Sequence, residues 1–181
     1  MNPNEILKKA ADLGFSAAAL IDTSQIPFRP EFRVCCEDNS CGMYGVNYAC
    51  PPACGTTDEM KERVLSRQKA LVLQTIWEVP DLKDKVLLKK DKKKHNTLIR
   101  ELIKELPEEC SGGFMIAASG CSLCPECAIV KNEPCRYPDL MASCVSAYCI
   151  YVQELAETLG WDYDLGPGLV AYFGMYVFGN R

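Results

Sequence analysis

Between Gly120 and Pro138 four cysteines stand at fixed intervals: Cys121, Cys124 and Cys127 at successive three-residue steps, and Cys135 eight positions further on. A hydrophobic core does not need thiols at this density, whereas a metal ion or an iron–sulfur cluster needs several soft ligands around one centre. A Cys-x-x-Cys turn aims two sulfurs at one point. Overlapping a second such turn wraps three sulfurs round one body, which Cys135 either closes or leaves, remaining free.

A second group of thiols lies earlier, in a segment from Asp22 to Cys54 that has no sustained periodicity and collects Pro27, Pro30, Pro51 and Pro52. Long irregular segments of this kind are usually either functional or disordered, and the thiols favour function. Its cysteines are Cys35, Cys36, Cys41, Cys50 and Cys54. Adjacent side chains diverge, so only one of Cys35 and Cys36 is expected to ligate, and Cys36, Cys41, Cys50 and Cys54 make the most economical foursome. The double proline is expected to hold the loop in an extended course between ligands. The competing account of this loop is a stiff segment with scattered buried thiols. Cys110, Cys144 and Cys149 sit at or inside apolar-patterned segments and read as small buried apolar residues.

The Cys121 series resembles the first three ligands of a bacterial ferredoxin run. In that run the fourth cysteine follows after three residues and precedes proline; here Cys135 follows after seven and precedes Arg136. Zinc is the main competitor, although zinc sites usually join two separated Cys-x-x-Cys pairs. A redox dithiol at Cys124-Pro125-Glu126-Cys127 is a third option, without a thioredoxin strand order to support it. Arg136 and Lys131 are candidates to stabilise thiolate or cluster charge. His95, the only histidine, lies beside a run of lysines. It reads as a surface residue, and a lone imidazole excludes a three-histidine zinc centre.

Twelve cysteines in a chain of this size would ordinarily suggest disulfides and export. The first residues lack the basic-then-apolar order of a signal peptide, and no apolar run is long enough to span a bilayer. The expected location is therefore the cytoplasm, where thiols stay reduced and available to metal. A net charge of −4 gives no general nucleic-acid-binding surface. The lysines at 83, 85, 89, 90 and 92–94 read most simply as a solvated face, and functionally as a docking patch for an acidic redox partner. No phosphate-binding glycine loop, dinucleotide fingerprint or serine–histidine pairing is present.

Helix and strand signals alternate four times. Asn2-Pro3-Asn4-Glu5 starts a helix that Gly14 ends, and residues 15–21 read as a strand. Thr56-Thr57-Asp58-Glu59 forms a capping box for a second helix running to about residue 68, followed by a buried strand over 69–76. The apolar spacing of Leu98, Ile99, Leu102, Ile103 and Leu106 gives a third helix, and residues 114–119 a third strand. Residues 145–159 read as a fourth helix, and 169–178 as a central strand. The expected fold is a single α/β domain over 1–181 with a sheet of about four strands. If its first and third strands are parallel, the thiol loops 33–56 and 119–140 both leave one sheet edge.

The quoted motifs, Cys36 and Cys41 leading into Tyr44-Gly45, Cys50-Pro51-Pro52, the run from Gly120 to Cys127, Cys135-Arg136-Tyr137-Pro138, and Ser143 with Ser146-Ala147-Tyr148, resemble one family. It consists of small cysteine-rich proteins of anaerobic bacteria and archaea, a domain of unknown function described as predicted metal-binding. The resemblance covers most of the chain and implies a metal ligand set without naming a reaction. The leading expectation is one or two 4Fe–4S clusters serving electron transfer or a redox accessory role. A zinc-braced binding module and a cluster-dependent reductive enzyme are the alternatives.

Overall fold

The computed structural model describes residues 2–180. Asn2 caps helix α1 (Pro3–Asp12): its side-chain oxygen accepts from the Asn4 N–H, and proline occupies the first turn. Ile6 and Ala10 face inward, and Gly14 turns the chain at φ +97° into strand β1 (Ala17–Asp22). The long segment that follows contains two single 3-10 turns, Thr23–Gln25 and Pro30–Phe32, and one short α-helix, α2 (Arg33–Glu37). Helix α3 (Thr57–Leu65) starts on the expected capping box: Thr56 Oγ1 accepts from the Glu59 N–H, and the Glu59 carboxylate accepts from the Thr56 N–H. Strand β2 (Arg67–Glu78), helix α4 (Lys85–Glu105), strand β3 (Phe114–Ile116), helix α5 (Val152–Thr158) and strand β4 (Leu169–Asn180) complete the order. No helix among the described residues is long and apolar enough to cross a membrane.

The four strands form one sheet in the order β1-β2-β4-β3, with every pairing antiparallel. Two-residue alternation divides the core between its faces. Leu71, Leu73, Met115, Tyr176 and Phe178 pack with Ile6, Ala10, Ile99 and Leu102 of α1 and α4. On the opposite face Ala70, Val72, Ile116, Met175 and Val177 pack with Met60, Val64, Leu155 and the segment around Tyr148.

The expectation of parallel first and third strands is corrected by this register: β1 and β3 run in opposite directions. Alternating helices and strands imply layers, but strand direction depends on where each connection returns the chain. The excursion from β1 through α3 brings it back beside β1, so the premise of one shared carboxyl edge fails. The third strand also stops at Ile116, because Ala117 leaves it to bridge Cys144 in parallel, donating to Ser143 O and accepting from the Val145 N–H, both at 2.9 Å. Helix α5 begins at Val152 rather than near residue 145. The intervening residues wind in turns, with Cys149 at φ +53°.

Helix α4 starts thirteen residues before the apolar spacing announces it, because Asp84 caps it by accepting from the Val86 and Leu87 N–H groups. Most of the lysines consequently project from its outer face, while Asp91, His95, Ile99 and Leu102 form its buried stripe. His95 is fully buried, which corrects the surface assignment. Its Nδ1 lies 2.8 Å from Thr75 Oγ1, and its ring meets Phe15 and Trp77 edge-on. Gly174 lets the helix approach this closely: a Cβ there would meet the Ile99 side chain, Ile116 O at 2.9 Å and His95 Nε2 at 3.1 Å.

Burial pushes the His95 imidazole down to about 3. An unfolded chain takes up that proton near pH 6.5, before the folded one does. Stability present at neutral pH is therefore lost as pH falls from about 6.5 towards 3, by up to about 1.4 kcal/mol per pH unit from this group. Urea midpoints measured between pH 7.5 and 5 should show a shallower acid decline for His95→Gln than for the parent. Equal declines would show that the imidazole is not responsible.

Candidate metal centre

The later thiol group hangs between β3 and the bridge at Cys144. Asn96 of α4 fixes its entrance, accepting from the Ala118 N–H at 2.9 Å and donating to Ser119 Oγ at 3.2 Å. Further on, Tyr48 donates its hydroxyl to Glu133 O at 2.8 Å, and Asn132 turns the chain at φ +55°. These ties bring all four sequence-predicted cysteines, Cys121, Cys124, Cys127 and Cys135, to the wall of one cavity of about 210 Å³. All four are half-buried. Met43, Val46 and Met141 supply apolar wall opposite them.

Arg136 holds this loop together, donating to Glu126 O and to the Glu133 carboxylate, each at 3.2 Å. Its guanidinium is held above its ordinary value, first by a hydrogen bond to Cys124 and then by the charges of Cys124 and Glu133. Lys131 instead pairs with Glu126 at 3.5 Å on the exposed surface, where such a pair contributes little. Of the two cations, Arg136 is the one that reaches a sulfur.

In the earlier group, α2 separates neighbouring side chains by about 100°. Cys35 accordingly stands exposed while Cys36 is half-buried. Asn39, at φ +53°, accepts from the Tyr44 N–H and shapes the turn carrying Cys41. The Pro51–Pro52 peptide is cis, and the segment turns rather than extending: the Cys54 N–H donates to Cys50 O at 3.1 Å. That turn points Cys54 into the core, its sulfur 3.3 Å from Met60 Sδ and 3.9 Å from Arg33 Nη1.

Cys144 takes the place beside the other thiols. Burial pushes Cys36 up to about 11 and Cys50 up to about 12, and in both the next cause is the negative charge that Cys144 would carry. Every pairing among Cys36, Cys41, Cys50 and Cys144 interacts in this way. Cys144 is itself raised by burial, opposed by the backbone N–H groups of Ala147, Ser146 and its own residue, which point at its sulfur. Cys149, also buried, adjoins the same thiols: burial raises it, Arg33 beside it opposes this, Cys54 and Cys35 are its neighbouring thiols, and its charge also acts on Cys36.

The two groups meet, as the sequence reading expects, although by contacts between loops rather than by parallel strands. Asn47, itself buried, donates its side-chain amide to Cys121 O at 2.8 Å. A Cβ on Gly120 would lie 3.1 Å from Cys50 Sγ, so a glycine is what lets the later loop close over the earlier one. Cys144 is the residue that spacing alone misses. Its signal lay in the flanking match of Ser143 and Ser146-Ala147-Tyr148, the segment whose amides surround the sulfur.

Thiols suit zinc and iron–sulfur clusters alike. Among the described residues, no three histidine, cysteine or carboxylate side chains are grouped to hold a single ion as they stand. The chain is an antiparallel sheet layered with helices, with cysteine-rich loops laid against each other. Residues 19–178 match the family described as "Predicted metal-binding protein (DUF2284)", and the chain belongs to that family. No curated protein and no solved structure matches it.

Proposed function

We propose that the chain carries two 4Fe–4S-type clusters and serves electron transfer or a redox accessory role. Cys121, Cys124, Cys127 and Cys135 form one ligand set. Cys36, Cys41, Cys50 and Cys144 form the other, with Cys144 in place of Cys54. The observation that supports a cluster over zinc is the cavity of about 210 Å³ ringed by four sulfurs. A site of about 10–15 Å³ on the same measure holds one water, so a single ion would leave most of this space unfilled. Such clusters, when bound, take up and release one electron at a time.

The protein's own groups supply the conditions for that role. Arg136, beside Cys124, offsets anionic charge on one ligand set, and the amides facing Cys144 do so on the other. Hydrogen bonds to ligand sulfurs are a principal means of tuning a cluster's potential. Met43, Val46, Tyr48 and Met141 narrow solvent access to the first set. The exposed lysines of α4 suit an acidic redox partner by charge complementarity.

Anaerobically prepared protein should be brown, with a broad visible absorption that bleaches on reduction. Colourless protein with tetrahedral zinc at four thiolates per site would decide for the zinc-braced module.

A further inference from the structure

Helix α4 and the segment entering the later thiol group enclose a second, smaller cavity of about 130 Å³. Its polar lining comes from Lys93, Asn96, Thr97, Arg100, Ser119 and Ser122, with no carboxylate among them, and Cys121 forms part of its wall. Asn96 is occupied in bracing the loop, as described above. Because Ser119 Oγ accepts from Asn96, its hydroxyl proton remains available to donate. Arg100 is half-buried, and no carboxylate among the described residues pairs with it. A partly desolvated guanidinium presents five N–H donors, and leaving it without an anion is costly.

We infer that this cavity is a binding site for a small oxyanion, a carboxylate or phosphate of a few heavy atoms, held by Arg100, Lys93 and Ser119 beside Cys121. Its volume falls well short of the roughly 300–1,000 Å³ typical of sites for larger ligands. That size excludes a nucleotide and leaves a fragment whose charge dominates recognition. The site goes beyond the proposed redox role and does not depend on it, since protein contacts alone place its donors. It would set an anion directly against a cluster ligand.

Calorimetric titration at constant ionic strength, with inorganic phosphate and separately with malonate, tests this in both metal-loaded and metal-free protein. Saturable binding of at least one of them is expected. Arg100→Gln should weaken it by about tenfold or more, as loss of a charged hydrogen-bond donor does. Lys8→Gln, an exposed substitution on α1 outside the cavity lining, should leave it unchanged. Should Arg100→Gln fold poorly, Lys93→Gln and Ser119→Ala provide the test, each weakening binding several-fold. Phosphate alone binding assigns a phosphate site, and malonate alone a carboxylate site. No saturable binding of either anion, or equal affinity in the cavity variants and the parent, overturns the inference. Binding retained in protein that proves to hold no iron would leave this site standing while the cluster proposal falls.

Discussion

Cys144→Ser should remove one metal centre, while Cys54→Ser should leave both in place. The contrast follows from the two side chains' surroundings. Cys144 stands in electrostatic contact with Cys36, Cys41 and Cys50 and is faced by backbone amides, whereas Cys54, although coupled to Cys50, has its sulfur against Met60 in the core. A serine hydroxyl is a poor ligand for soft metals, so Cys144→Ser should lose about half of the bound iron, one of two four-iron clusters. Cys54→Ser should keep the iron and instead destabilise the fold by about 1–3 kcal/mol, the cost of a buried hydroxyl without a good partner. Iron content and urea unfolding on the two variants separate these outcomes. Full iron in Cys144→Ser together with a halved content in Cys54→Ser would restore the ligand set drawn from spacing alone.

Cys135→Ser should affect the other centre to a similar extent. Cys135 reaches the same cavity as Cys121, Cys124 and Cys127 from the far side of a loop whose only regular element is a short turn, Ala128–Lys131. A loop with so little secondary structure depends on its ligand bonds, so loss of the fourth sulfur should release both the cluster and the loop. The expected results are a fall of about half in iron and rapid proteolytic cleavage confined to residues 121–135. The sheet should remain protected, because its two core faces are built without these residues. Unchanged iron in this variant would show that Cys135 is not a ligand.

The elements that could be read from sequence are those whose signals are local. Asn2 with Pro3, and Thr56 with Glu59, mark helix starts by side-chain chemistry that needs no tertiary partner, and both appear as expected. The apolar runs of β2 and β4 also announce themselves, since a strand buried on both faces is built mostly from apolar residues. Strand direction was not legible, because it depends on where a long irregular connection returns. His95 reads as a surface residue because its lysine neighbours belong to the opposite face of a helix whose cap, Asp84, is one carboxylate among many charges. The Cys121 series was legible because its spacing is itself the geometry of the loop. Cys144 was hidden: helical spacing from Val145 onwards suggested a helix, yet the chain there turns through a left-handed Cys149 and wraps its amides round a sulfur. A group of thiols drawn from segments about a hundred residues apart leaves no local pattern.

Iron and acid-labile sulfide, counted per chain in protein purified without oxygen, test the central claim most directly. Two four-iron clusters require about eight of each. Stoichiometric zinc with neither iron nor sulfide would contradict the account.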